Sequence, residues 1–261
     1  MAYLLSPSQA KLLADTLPDL PQTVISISQL RRGLAQAYVV GDVMKWETAV
    51  IFDPGQPGEP TAFGHNAAQI ADLMVGLPNW FCVNVLPEVA AELGSLLAAQ
   101  MGCPVRYYGD IYHTLTTPAP HLPHSTVRRL TMVDLPLLQA APASIRGHDP
   151  ARMLAEMFAA GAVVNGRFDF AQRRRIVAIA QNYALSDRYG DIGVATLPDF
   201  RGQGLATAAA ALVAQDVQAN GRIPVWSCGE DNHASLRVAQ KLGFVYDSRR
   251  TYIILQKEAG R

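Results

Sequence analysis

The chain is 261 residues long, with 49% apolar and 17% charged residues and a formal net charge of zero from 22 Lys+Arg against 22 Asp+Glu. That length suits one large domain or two ordinary ones, and the apolar content supports a buried core and argues against disorder. A charge balance without basic excess argues against a nucleic-acid partner, which needs cations to neutralise phosphates; the densest basic run, Arg173 to Arg175, reads as a solvated turn before a strand.

In chain order, residues 1–22 read as a short amphipathic helix. Residues 37–40, 48–52 and 61–63 are Val-, Ile- and aromatic-rich and predict strands. A helix is predicted over 66–75, a strand over 80–85, a helix over 87–101 and a strand over 105–112. The stretch 116–124 then carries Pro118, Pro120 and Pro123 and reads as a linker, which divides the chain into an N-terminal domain at 1–117, a linker at 118–124 and a C-terminal domain at 125–261. Beyond it come a strand at 125–130, a helix opened by Asp134 and Pro136, and a helix from Pro150 with Asp149 as N-cap. Strands follow at 162–165, 175–185 and 191–197, then a helix to about residue 219, a strand at 223–228, a helix capped by Asn232 and ended by Gly243, and a final strand at 252–255.

This order mixes strands and helices without strict βαβ alternation, so the expected class is mixed α+β and not a doubly wound sheet. The first half reads β β β α β α β, which matches the last seven elements of the second half. A degenerate duplication and a shared order arising by chance both account for this.

Cys82, Cys103 and Cys228 are too few and too scattered for a disulfide framework. Residues 1–22 lack the pattern of a signal peptide, and no segment approaches the roughly 20 apolar residues of a membrane span. A cytoplasmic protein with no membrane partner is expected. The six histidines show no ligand spacing, so no metal is expected.

The stretch that carries chemistry is residues 191–244. In Arg201-Gly202-Gln203-Gly204-Leu205-Ala206 a strand gives way to a glycine-rich turn that opens a helix. The first N–H groups of that helix lack intrahelical acceptors and sit at the positive end of its dipole, so they suit a phosphate or pyrophosphate. The absence of Gly-Lys-Ser/Thr excludes a nucleotide-hydrolysing P-loop, and the third glycine of the dinucleotide fingerprint is missing. Alone, such a turn also fits a loop that binds nothing. Downstream lie Val225-Trp226-Ser227-Cys228, Asn232-His233-Ala234-Ser235 and Lys241-Leu242-Gly243-Phe244.

Together, Arg201-x-x-Gly204-x-Ala206 and Asn232-x-x-Ser235 ending in Gly243-Phe244 resemble the two motifs of the GNAT superfamily of N-acetyltransferases, in the right order and over about residues 125–255. The two-part layout is similar to a subgroup of larger GNAT proteins. The resemblance implies a mostly antiparallel sheet with a splayed central strand pair, preceded by a GNAT-like half, and transfer of an acetyl group from acetyl-CoA to a primary amine of a small molecule. It implies that the backbones of Val194 and Thr196 pair with the pantetheine arm and that the amides of Gly202, Gln203, Gly204, Leu205 and Ala206 hold the pyrophosphate. Arg201 adds charge beside it, and Asn232 and Ser235 contact the cosubstrate, with a plain helix cap as the equal alternative for Asn232. The Val194 amide is the implied oxyanion donor.

Candidate general bases are Asp191, which opens the central strand on the face opposite Ile192 and Val194 unless a bulge re-aims it, and Glu230, in the loop before Asn232. For each, a solvated carboxylate is the competing reading. Many relatives carry a tyrosine acid seven residues after the capping Asn, and here that position is Ala239, with Ser235 and Tyr246 as substitutes. Its loss also fits a non-catalytic acyl-CoA-binding regulatory module. The N-terminal half has no Gly-x-Gly turn and is expected to bind no second CoA. The sequence leaves a homodimer open.

Overall fold

The computed structural model describes residues 2–165 and 174–256, so Arg173 of the basic run lies outside the described residues. The chain forms two compact units, one of Met1–Ile111, Gly229–Asp231 and Ser248–Arg261, the other of Tyr112–Cys228 and Asn232–Asp247. The change of unit thus falls at 111/112, ahead of the Pro-rich stretch, and the end of the chain joins the first unit.

The elements run β1 (Ala2–Leu4), α1 (Pro7–Thr16), α2 (Val24–Arg31), β2 (Gln36–Asp42), β3 (Lys45–Phe52), β4 (Thr61–Phe63), α3 (Ala67–Val75), β5 (Cys82–Val85), α4 (Pro87–Met101) and β6 (Val105–Thr114). They continue as β7 (Val127–Arg129), α5 (Leu135–Gln139), α6 (Ala143–Arg146), α7 (Pro150–Glu156), β8 (Ala159–Asn165), β9 (Arg174–Leu185), β10 (Tyr189–Thr196), α8 (Leu205–Ala219), β11 (Ile223–Gly229), α9 (His233–Leu242) and β12 (Val245–Leu255). The two series repeat one plan. β1 pairs antiparallel with β2, β2 with β3, β3 with β4, and β4 runs parallel to β5. Likewise β7 pairs antiparallel with β8, β8 with β9, β9 with β10, and β10 runs parallel to β11. The fold is therefore mixed α+β with a GNAT-like plan written twice.

Most elements start and stop where local chemistry says. Ser6 and Gln9 form a reciprocal capping box at α1, with Pro7 in the first turn. Asp149 accepts the Arg152 N–H at 3.0 Å to cap α7, and Gly102 and Gly243 end α4 and α9 in the left-handed region. Four elements escape the sequence reading: β1, which lies in the stretch read as a helix, α6, α2 and the front of β12. α2 is a Val-Ile-Ser stretch whose Ser26, Ser28 and Gln29 are buried along with Val24, Ile27 and Leu30, so the amphipathic stripe is hidden. β12 begins at Val245, well before the expected residue 252, because its polar front, Tyr246 to Arg250, pairs or packs in ways its composition conceals.

Each unit has helices on both faces of its sheet. In the first, Leu13, Ile27 and Leu30 from α1 and α2 close one face, and Ile70, Met74, Leu93 and Leu97 from α3 and α4 close the other. Each such side chain contributes about 1.5–3 kcal/mol on burial. In the second, α5, α6 and α7 supply Leu138, Ile145 and Leu154 to one face. On the other, Ala209, Ala210, Ala211, Val213 and Val217 of α8 meet Ile192 and Trp226, and Leu242 of α9 joins them. The alanine run is thus more than good helix former: its small side chains let α8 lie close on the sheet. The Pro-rich stretch belongs to this unit as well. Gln218 donates to Leu115 O at 3.2 Å and Thr117 O at 2.7 Å and accepts from Ala119 N–H at 2.8 Å, and Gln215 donates to Pro120 O at 3.0 Å. It is strapped to α8 by side chains that the sequence alone does not pair with it. Asp134, buried at the start of α5, takes both Arg128 nitrogens, at 2.5 and 2.8 Å, and that ion pair holds its carboxyl below the usual range.

The end of the chain is tied into the first unit. Thr251 to Ile254 pair antiparallel with Val85 to Cys82 of β5. Arg250 is fully buried there, with Nε donating to Asn84 Oδ1 at 2.5 Å and Nη2 to Ala62 O at 2.7 Å and Asn84 O at 3.1 Å. Its guanidinium lies 4.7 Å from the Phe63 ring centroid, and Asn84 in turn donates to Asp110 at 3.0 Å. Burial and the nearby Asp110 push the Tyr252 hydroxyl above its ordinary range, so it stays protonated beside this knot. Removing one partner of a buried charged network leaves the others unsatisfied, and Arg250→Met is expected to lower stability by about 3–5 kcal/mol in urea unfolding. A loss below about 1 kcal/mol would show that the knot does not hold the terminal strand.

Candidate active site

The site is built on a parting of two strands in the second unit. β10 and β11 pair in parallel only at Tyr189↔Ile223, Gly190↔Pro224 and Asp191↔Val225. On its other side β10 stays paired with β9 through Thr196↔Ala178. Past Asp191, then, β10 has a strand partner on one edge and an open seam on the other.

The ladder with β9 decides which groups face that seam. The Leu197 N–H donates to Val177 O at 2.9 Å, so Leu197 faces β9. Along an antiparallel ladder the bonded residues alternate, which turns Ala195 and Gly193 towards β9 and Thr196 and Val194 away from it. The backbone N–H and C=O of Val194 and Thr196 therefore point into the open seam. Arg201 Nε donates to Thr196 O at 3.4 Å, on that same side.

At the far end of β10 a 3-10 turn, Pro198–Phe200, leads into the glycine loop. Gly202 and Gly204 have φ of +76° and +78°, a region that favours glycine, and a Cβ at either position would meet nothing within 4 Å. The loop backbone is thus open on its outer side. Gly204 caps α8 without any side-chain hydrogen bond, and no acidic residue stands in the first turn. Arg201, Gly202, Gln203 and Gly204 are exposed, Ala206 is half-buried, and the Leu205 side chain turns into the core beside Val177 and Ala178. Leu205 can therefore present only its backbone. The N–H groups at the dipole's positive end are suited to an anion.

Across the seam, Trp226 of β11 is buried and donates from Nε1 to Ser235 Oγ at 2.9 Å, with Phe244 in edge contact at 5.6 Å. Asn232 caps α9 by accepting the Ser235 N–H at 3.1 Å. These bonds fix the first turn of α9 against β11. Ser235 is thus engaged through both its hydroxyl and its amide, and the capping role of Asn232 is present in the structure.

Asp191 sits at the root of the seam. It is buried, the β9–β10 register shifts at Asp191/Ile192, and its Oδ1 accepts the Ser227 hydroxyl at 2.9 Å. Ile192 and Trp226 face α8 and α9, so strand alternation places Ser227 on the opposite face, the one covered by α5–α7. Cys228 packs with the α8–α9 cluster and not with Asp191.

Glu230 behaves differently. It falls in the first unit, where its carboxylate pairs with Arg249 at 3.1 Å and accepts the Gly109 N–H at 2.9 Å, while its own N–H donates to Gly109 O at 2.9 Å. The structure does not bring it together with Asp191 in one unit, and its oxygens are engaged as a strand-end clasp. Ser227, by contrast, gave no signal in sequence, because a serine between Trp226 and Cys228 looks like any strand residue. Among the described residues no group of three or more His, Cys, Asp or Glu is placed to hold a metal.

The matching seam of the first unit is closed. β4 and β5 register only at Thr61↔Asn84, and the next carbonyls of both strands, Ala62 O and Asn84 O, are taken by Arg250. The start of α3 is likewise occupied, since Asn66 caps it by accepting from Gln69 N–H at 3.0 Å.

Ala239, where many relatives carry the tyrosine acid, is buried in the α8–α9 core beside Trp226 and Leu242. Ala239→Tyr is expected to overpack that core, lowering stability by about 1–3 kcal/mol with no gain in any acyl-transfer rate. An active, fully stable variant would show that the position opens on the seam instead.

Comparison with known proteins agrees with this geometry. A family model described as GNAT acetyltransferase matches residues 168–254. No curated protein matches the chain. Among solved structures, a GCN5-related N-acetyltransferase-like protein from Streptococcus suis aligns with TM-score 0.66 at 20% identity, covering 95% of this chain and 99% of that one. An acetyltransferase from the GNAT family of Colwellia psychrerythraea aligns with TM-score 0.61 at 14% identity, covering 98% and 100%. A tandem GNAT protein from the clavulanic acid biosynthesis pathway covers 100% of both chains with TM-score 0.54 at 15% identity. Residues 168–254 thus match the GNAT acetyltransferase family model, within a two-part architecture that has the GNAT fold along its length.

Proposed function

We propose that the protein is an N-acetyltransferase that moves an acetyl group from acetyl-CoA to a primary amine of a small molecule within one ternary complex. The observation that carries this reading is the open seam between β10 and β11, with the Val194 and Thr196 backbone facing it and the Gly202–Gly204 loop at its end. The residues present fit acyl-CoA: the unpaired strand edge suits the amide-bearing pantetheine arm, and the open α8 N-terminus suits the pyrophosphate. When bound, acetyl-CoA supplies an acyl group activated as a thioester.

The chain's own groups do the rest. The Val194 N–H, aimed into the seam, donates to the acyl oxygen as charge builds there. The Asp191 carboxylate takes the proton of the attacking amine. As the C–N bond forms the C–S bond breaks, and the sulfur leaves as thiolate with no tyrosine at position 239 to protonate it. That gap is the one feature favouring a second reading, a non-catalytic acyl-CoA-binding regulatory module. The first unit, with its seam and helix start both occupied, is proposed to bind no acyl-CoA and to have a structural or acceptor-selecting role.

Calorimetric titration with acetyl-CoA is expected to show one site per chain in the micromolar range. Gly204→Glu places a carboxylate at the anion site in a strained backbone position and is expected to abolish that binding while the circular dichroism stays unchanged. No heat with the wild type removes the cosubstrate reading, and two sites per chain removes the assignment of the first unit. Thiol release from acetyl-CoA over a panel of primary amines then separates enzyme from regulatory module: turnover is expected, and bound acetyl-CoA with no turnover supports the module.

A further inference from the structure

We infer that Ser227 is a positioning residue for the transfer reaction, holding the Asp191 carboxylate forward in the open seam; this rests on the acetyltransferase reading above. The argument starts from register. β10 and β11 are parallel, and Asp191 lies opposite Val225 in the last paired position. Ser227 is two residues further along β11, roughly 6–7 Å at the rise of a strand. Its hydroxyl nevertheless donates to Asp191 Oδ1 at 2.9 Å. The bond therefore runs along the strand direction, from the last paired position of β10 to the diverging part of β11.

Three further features make this a built arrangement. The β9–β10 register shifts between Asp191 and Ile192 through an extra residue on β9, Tyr183, so the ladder is irregular beside the carboxylate's own position. The carboxylate is buried, where an ordered hydrogen bond from a neutral hydroxyl is worth more than in water. Ser227 cannot swing away with its strand, because the adjacent Trp226 is pinned on the other face through Ser235 and Phe244. The bond thus spans the root of the seam, with one partner on each parting strand. It fixes where the proton acceptor stands relative to the Val194 N–H three residues further along β10. Ser227 touches no reacting atom; it acts through Asp191.

The test uses the full chain, acetyl-CoA and the most active amine of the panel. Ser227→Ala is expected to lower kcat about tenfold, less than the ~100-fold or greater loss for Asp191→Asn as base. The acetyl-CoA dissociation constant by calorimetry is expected to stay within about twofold in both, since the anion site lies at the other end of β10. Ser227→Thr and Ser227→Val have the same shape and differ in the hydroxyl; Thr is expected to recover most of the rate and Val to match Ala. The double variant, Ser227→Ala with Asp191→Asn, is expected to be no slower than Asp191→Asn alone, as it must be if Ser227 works through that carboxylate. Equal rates for Thr and Val, or additive losses in the double variant, overturn the inference while leaving the acetyltransferase reading intact. Loss of acetyl-CoA affinity in Ser227→Val but not Ser227→Thr overturns it in favour of a cosubstrate contact. Absence of turnover in a wild type that binds acetyl-CoA overturns both readings.

Discussion

The structure depends on a backbone hydrogen-bond deficit. Two parallel strands, β10 and β11, share three paired residues and then part. A strand edge inside a folded unit cannot leave its N–H and C=O groups without partners. Either water, a ligand or a side chain must meet them. In the second unit the seam stays open, and the groups of Val194 and Thr196 are turned into it by their alternation along β9. Everything else at the site serves that opening. α8 starts after β10 ends, and the glycine loop exposes its dipole; α9 is pinned to β11 through Ser235 and Trp226.

The first unit shows the other solution to the same deficit. Its strands follow the same order and its parallel pair parts in the same way, but Arg250 takes the carbonyls on both sides of the seam. A guanidinium suits that role, because its planar fork can donate to several oxygens at once and stack on an aromatic face. The duplicated plan therefore carries two fates. One copy keeps an edge open beside Val194, with Thr196 O met by Arg201, and the other meets it from within by a residue of the terminal strand. That strand is also why the units are not consecutive stretches of chain, with Gly229–Asp231 and Ser248–Arg261 counted in the first unit. Glu230 is part of this arrangement: its position before Asn232 looked catalytic, but its carboxylate is committed to Arg249 and Gly109.

The acid-base chemistry is asymmetric. A buried carboxylate with a hydroxyl partner stands at the root of the seam, while the expected tyrosine acid is an alanine packed in the core. A thiolate is a good leaving group near neutral pH, so the reaction demands a base more than an acid. In the proposed reaction the site keeps the half of the proton traffic that the chemistry needs.

The sequence by itself determined most of the element order, most helix boundaries and the glycine loop before α8. These depend on local rules: capping by Ser6, Asp149 and Asn232, left-handed glycines at 102, 202, 204 and 243, and the spacing of apolar residues. It put Asp191 on the central strand, on the face opposite Ile192, whereas the register shift beside it comes from an extra residue on β9, Tyr183, which it did not show. It missed α2, whose polar residues are buried, and the front of β12, whose charges are met by distant groups. Only the tertiary structure decided that β10 and β11 part after Asp191, that Ser227 reaches back to that carboxylate, and that Arg250 closes the other seam. The last two facts join residues from 36 to 188 positions apart. No local propensity encodes such pairings; they follow from which strands lie side by side and where their ladders run out.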